Sequence, residues 1–170
     1  GTIAARQCVR EVFGLAHEEG VLTWIKEIAW RDFYAQLLYH FPKTIQEPFQ
    51  TRYDTLLWST DASLFKAWAT GKTGYPLVDA AQRQLVSTGF MHNRLRMVSA
   101  SFFSKHLGLD WRLGEAFFAE HLNDYDAASN VGGWQWASSI GSDAQPYFRV
   151  FNPTLQSEKF DRDGTFIRQY

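Results

Sequence analysis

Apolar residues recur at three- and four-residue spacing along most of the chain, the period of helices that bury one face. Residues 6–19 contain no proline and end on Gly20, a residue suited to stopping a helix. The longest amphipathic stretch runs over 21–41 and ends at Pro42. Residues 42–59 are looser, with Pro42 and Pro48 as breakers. Ser59 or Thr60 can cap a helix over 61–70 that Gly71 stops. Pro76 opens a helix over 77–88 ended by Gly89, and 91–107 forms another ended by Gly108. A shorter helix covers 112–122. From Asn123 the texture changes: small residues fill 127–133 and predict a turn, then a short helix reaches Ile140. The tail from Gly141, with Pro146 and Pro153, reads as loop. Alternating strand-like runs are few, and no Asn-Gly or Asp-Gly turn joins two apolar runs. The pattern predicts an all-α fold without internal repeats.

Two of these helices carry more than a core face. Glu27, Trp30, Arg31 and Tyr34 sit at i, i+3, i+4 and i+7 and share one side of the 21–41 helix, while Ile25, Ile28, Ala29, Leu37 and Leu38 supply apolar contacts. The stripe reads either as a solvated Glu–Arg pair beside aromatics, or as a cleft wall offering an aromatic platform and a carboxylate to a flat polar ligand. On the 91–107 helix, Met91, Leu95, Val98 and Phe102 form a core stripe. Asn93 and Met97 share a second face, and Arg94, Ser101 and Lys105 a third, basic one.

Composition narrows the classes. Hydrophobic residues make up 45 % and charged residues 21 %, enough to bury a core and too apolar for disorder. The formal net charge of −1 excludes a uniformly basic nucleic-acid coat, so any such face is local. Residues 83–112 hold five basic side chains (Arg83, Arg94, Arg96, Lys105, Arg112) against one acid, Asp110, a modest phosphate-binding candidate. The single cysteine, Cys8, allows neither an internal disulfide framework nor a cysteine-built zinc site. No apolar run approaches the roughly 18 residues of a membrane span, and no signal peptide opens the chain. These features predict a cytoplasmic setting. Neither end carries a stop signal of its own, so the chain reads as a piece of a larger protein.

Chemistry concentrates in Asp124-Tyr125-Asp126 through Trp136. Two aspartates, a small-residue turn and Gly132-Gly133 let backbone approach a ligand closely. Asn130 can present an amide to a ring nitrogen, and Trp134 and Trp136, two apart, point to different sides. His92, His106 and His121 show no metal-ligand spacing with carboxylates, so no metal is expected.

Four segments, WIKEIAWRDFY (24–34), TGYPLVDA (73–80), GFMHNRLRM (89–97) and DYDAASNVGGWQW (124–136), with FRVFNP (148–153) and KFD (159–161), resemble the flavin domain of the photolyase/cryptochrome family in order and content. The resemblance covers essentially the whole chain. It implies a multi-helical FAD-binding domain, of which residues 1–170 are the central part, truncated at both ends and without the family's N-terminal α/β antenna domain. The subtype resembled is the class I cyclobutane-dimer photolyase. Repair enzymes for the (6-4) photoproduct carry histidine where this chain has Asn93, and plant cryptochromes carry aspartate where it has Asn130.

The resemblance further implies a light-driven carbon–carbon lyase that splits cyclobutane pyrimidine dimers in DNA with reduced, anionic FAD as electron donor. Trp24, Arg31, Arg96, Asp124, Tyr125, Asp126 and Asn130 would hold the cofactor, Arg96 paired with Asp124 and Asn130 at flavin N5. Glu27, Trp30, Tyr34, Asn93, Arg94, Met97 and Trp136 would take the flipped-out dimer and adjacent DNA. Glu27 would donate a hydrogen bond to a dimer carbonyl, and so would be protonated at that step. Trp58, Trp111 and Trp134 would relay electrons to the flavin, Trp134 nearest it and Trp58 near the surface. A folate- or deazaflavin-type antenna chromophore would belong to the missing domain, and the parent would be a monomer. The competing expectations are a cryptochrome-type photoreceptor that repairs nothing, and a folded piece that holds no FAD.

Overall fold

The computed structural model describes residues 3–15, 17–144 and 146–170. It is helical. The described residues form α1 (Ala5–Val12), α2 (Glu19–His40), α3 (Ala62–Ala69), α4 (Pro76–Thr88), α5 (Asn93–Ser101), α6 (Trp111–His121), α7 (Ala127–Ala137), α8 (Pro153–Phe160) and α9 (Thr165–Gln169). No strand forms among them, only one isolated parallel bridge between Ser59 and Leu109. The chain divides into two units, Gly1–Pro42 and Lys43–Tyr170.

The first unit is α1, a short 3₁₀ turn (Phe13–Leu15) and α2. Gly20 does not stop a helix; it lies in the first turn of α2. Glycine lowers helix propensity but does not forbid helical dihedrals, and Gly20 sits at the start, where few intrahelical bonds depend on it. Ala16, within the stretch read as helix, lies outside the described residues. Thr23 and Gln36 close side-chain bonds one turn back, to the Glu19 carbonyl and the Asp32 carboxylate.

The second unit contains every fully buried side chain among the described residues. Trp68, Leu85, Met91, Val98, Phe102, Phe103, Trp111, Phe118, Val131 and Trp134 form one continuous core. The stripe Met91, Val98 and Phe102 is buried, with Leu95 packed against it. Ser101, assigned above to a basic face, is instead fully buried. A wider π turn over Phe102–His106 follows α5 and ends at Gly108, whose φ of 66° needs glycine.

Caps explain most boundaries. Asp61, rather than Ser59 or Thr60, caps α3 by accepting from the Ser63 and Leu64 amides. Asp110 caps α6 from the Arg112 amide, and its carboxylate also holds the Arg112 guanidinium. Pro76 opens α4, and Gly89 closes it with φ 70°. Asp126 caps α7, so the small-residue segment 127–133 is helix and not a turn; alanine favours helix, and the cap offsets the two glycines. That helix ends at Ala137, short of Ile140. The tail read as loop holds two helices, α8 opened by Asn152-Pro153 and α9 held by Asp161, which accepts from the Phe166 and Ile167 amides.

Candidate functional site

On α2, Trp30, Phe33 and Tyr34 form an aromatic cluster with ring centroids 5.4–6.0 Å apart. Trp24 and Trp30 are each 43 % exposed, and Glu27 and Arg31 are exposed as well. Of the ion pairs among the described residues, none joins Glu27 to Arg31. The platform of the cleft-wall reading is therefore present on this helix, and the Glu–Arg pair of the other reading is not. Phe33, not singled out in the sequence, completes the cluster at i+3 from Trp30.

The second unit gathers a polar constellation where α5, α6 and the start of α7 meet. A single terminal nitrogen of Arg96 lies 2.9 Å from both Asp124 oxygens, while its Nε donates to the Met91 carbonyl at 2.7 Å. The guanidinium is thus clamped to the loop before α5 and to the loop before α7. Asn123 anchors the same loop, its amide bonded to the Gly89 carbonyl at 2.9 Å. Asp126 accepts from the Ser129 amide at 2.9 Å. Asn130 points its Nδ2 at the Glu115 carbonyl (3.1 Å) and carboxylate (2.9 Å) on α6. The Tyr125 hydroxyl donates to the same carboxylate at 3.3 Å. Burial, and then the Glu115 charge, push the Tyr125 phenol above its usual range.

Arg96, Asp124, Tyr125, Asp126 and Asn130 are therefore brought together, and Glu115 joins them without any sequence signal. Gly133, one turn after Asn130, has nothing within 4 Å of where a Cβ would stand, so the helix presents bare backbone beside that amide. Carboxylates, an amide, a guanidinium and an open flat backbone face suit a planar, hydrogen-bonding heterocycle with a polar chain. The donor set fits a flavin.

The tryptophans separate by burial. Trp134 (2 % exposed) and Trp111 (0 %) are core, while Trp58 is half-buried beside Ser59, whose amide bonds the Gly108 carbonyl. Trp134 packs against Trp68, Phe103 and Phe118 with centroids 5.0–6.0 Å away, and its indole N–H has no hydrogen-bond partner. Trp136, on the other side of α7, is half-buried and lies 6.3 Å from Phe151. Between them, Gln135 donates to the Thr44 and Glu47 carbonyls and accepts from the Phe49 amide, stitching the 43–50 segment to α7.

On α5, Asn93 is exposed, and Arg94 and Met97 are half-buried. The Arg94 guanidinium lies 5.0 Å from the centroid of Phe160, and Lys159 lies 5.2 Å from the same ring. The sequence reading missed this α8 partner because it took the tail for loop. The histidines do structural work: His92 caps α5 through Nδ1, His106 stacks on Phe102, and His121 stacks on Phe117 while donating to its carbonyl. No group of three or more metal-binding side chains converges among the described residues. No described helix is long and apolar enough to cross a membrane.

These features define a helical flavin-type domain. Residues 24–170 match the family described as the FAD binding domain of DNA photolyase. The chain is 52 % identical, over its full length, to a deoxyribodipyrimidine photo-lyase of Neurospora crassa, covering 29 % of it. It superimposes on an archaeal photolyase from Sulfolobus tokodaii, solved with two FAD molecules, with a TM-score of 0.92 and 43 % identity, covering all of this chain and 38 % of that one. A Synechocystis cryptochrome gives 0.91 and 37 %, over 99 % of this chain and 35 % of that one. The chain belongs to the FAD-binding domain family of DNA photolyases, and spans about a third of the length of these relatives.

Proposed function

We propose that the parent of this chain is a light-driven lyase that splits cyclobutane pyrimidine dimers in DNA, and that this chain carries most of its flavin- and lesion-contacting residues. The observation that carries the reading is the constellation of Arg96, Asp124, Tyr125, Asp126 and Asn130 at the α5–α6–α7 junction, in a chain of this family. These residues, with Trp24 and Arg31, hold the cofactor. FAD, when bound, supplies one-electron donation driven by light.

The chain's own residues do the rest. The Arg96 guanidinium, neutralised only in part by exposed Asp124, favours negative charge beside it. Trp30 and Trp136 offer aromatic faces to an unstacked dimer, each base–aromatic stack contributing about 1–3 kcal/mol. Glu27 donates a hydrogen bond to a dimer carbonyl. Tyr34, Asn93 and Met97 complete the pocket, and Arg94 meets a phosphate. Trp134, Trp111 and Trp58 carry electrons inward from solvent. The parent acts as a cytoplasmic monomer, and its antenna chromophore lies outside this chain.

Light-dependent dimer cleavage by the full-length parent and its Glu27→Ala variant tests the reading. Repair by the parent, and reduced repair with flavin retained in Glu27→Ala, is the expected result. A flavin-loaded parent that leaves dimers intact in light would instead identify a photoreceptor of the kind its Synechocystis neighbour's name describes.

A further inference from the structure

We infer that Glu115 is a positioning residue that fixes which end of the Asn130 amide faces the cofactor, and thereby biases the bound flavin toward its reduced state. The inference rests on the flavin reading above and assigns a role to a residue that reading does not use.

The argument begins with donor and acceptor bookkeeping. Both groups that Asn130 meets on α6, the Glu115 main-chain carbonyl and its carboxylate, are acceptors. Turning the amide over would set its oxygen against two oxygens, losing two hydrogen bonds and adding repulsion. The carboxylate cannot adapt by turning donor, and the Tyr125 hydroxyl, donating to the same oxygen, holds it in place. The Asn130 main chain is equally constrained, its amide bonded to the carbonyl of the α7 cap Asp126. The amide oxygen is therefore the atom left to offer a ligand.

An oxygen acceptor selects a partner that carries a hydrogen. Flavin N5 is a lone-pair acceptor in the oxidised ring and an N–H donor in the reduced ring. Beside a fixed carbonyl oxygen the reduced ring gains a hydrogen bond, and the oxidised ring faces an unfavourable pairing of acceptors. Without Glu115, Asn130 is free to turn its NH₂ outward, and the preference disappears.

The experiment is an anaerobic spectroelectrochemical titration of FAD in the full-length holoenzyme and in Glu115→Gln. Glutamine is isosteric, but its own amide donates or accepts, so it no longer dictates the orientation of Asn130. The expected result is a fall in midpoint potential, with the oxidised-to-reduced ratio shifted about tenfold toward oxidised, about 30 mV for a two-electron couple. The sign is diagnostic. Merely removing a negative charge near the ring would favour the electron-rich reduced flavin and raise the potential. In an Asn130→Leu background the same substitution should produce no fall. An unchanged or raised potential in Glu115→Gln, a fall that persists without Asn130, or a folded variant that no longer takes up FAD overturns the inference. A full-length parent that binds no flavin overturns the functional reading itself, whereas a repairing parent whose potential ignores Glu115→Gln overturns the positioning role alone.

Discussion

Asp79 shows how much one side chain can organise. It is 6 % exposed on α4, and its carboxylate accepts from the Thr73 amide and hydroxyl and from the Gly74 amide, at 2.6–3.0 Å. That clasp holds the 73–75 loop, which sets Tyr75 against Phe102 at 4.8 Å. Asp79→Asn replaces one acceptor oxygen with a donor facing donors, and should cost about 2–3 kcal/mol in chemical denaturation. Lys105 behaves in the opposite sense. Its ammonium donates to the Arg149 carbonyl at 2.8 Å, yet burial lowers its pKa to about 8 from 10.5. Between these values the unfolded chain binds more protons than the folded one, so stability rises with pH across roughly 8 to 10.5. Lys105→Met should therefore gain relative stability at pH 7, and that gain should shrink by pH 10 in parallel urea titrations. At this scale, the contiguous motif 124–136 made Asp124, Asp126 and Asn130 legible in the sequence. Glu115 was not, because its contacts to Tyr125 and Asn130 span ten and fifteen residues between two helices and leave no local signal.

Among elements, α6 and α7 make the tightest fit. Gly114 is buried on α6, and a Cβ placed there would land on the six-membered ring of Trp134. The glycine is a notch for that indole. Gly114→Ala should cost about 1–3 kcal/mol through overpacking and displace Trp134, seen as a changed tryptophan emission spectrum with helical content retained. Helix existence was largely legible from periodicity and from Pro42, Pro76, Gly89 and Gly108. The misreadings share one cause: composition was allowed to outweigh caps. The segment 127–133 looked too small and glycine-rich for a helix until Asp126 capped it, and α8 and α9 were lost in a polar tail although Asn152 and Asp161 marked their starts.

Across the whole chain, burial is uneven. All fully buried side chains among the described residues fall in Lys43–Tyr170, and no described residue of α1 or α2 is fully buried. Hydrogen exchange should find the longest-protected amides in α4, α5 and α7 and faster exchange throughout α2, even though α2 is the longest helix. Comparable protection in α2 would contradict that distribution. The all-α class was readable from the pattern alone, whereas the division into two units was not, because a long amphipathic helix looks the same in sequence whether or not its apolar face is fully covered. The π turn at Phe102–His106 carries a separate consequence for how the chain tolerates changes in length. It accommodates one more residue than an ordinary turn, so deleting one residue there could restore regular winding locally. The cost would appear downstream. Each residue advances a helix by about 100°, so the deletion would rotate Leu107–Leu109 off the Ser59 bridge and pull the Asp110 cap of α6 out of phase with the core.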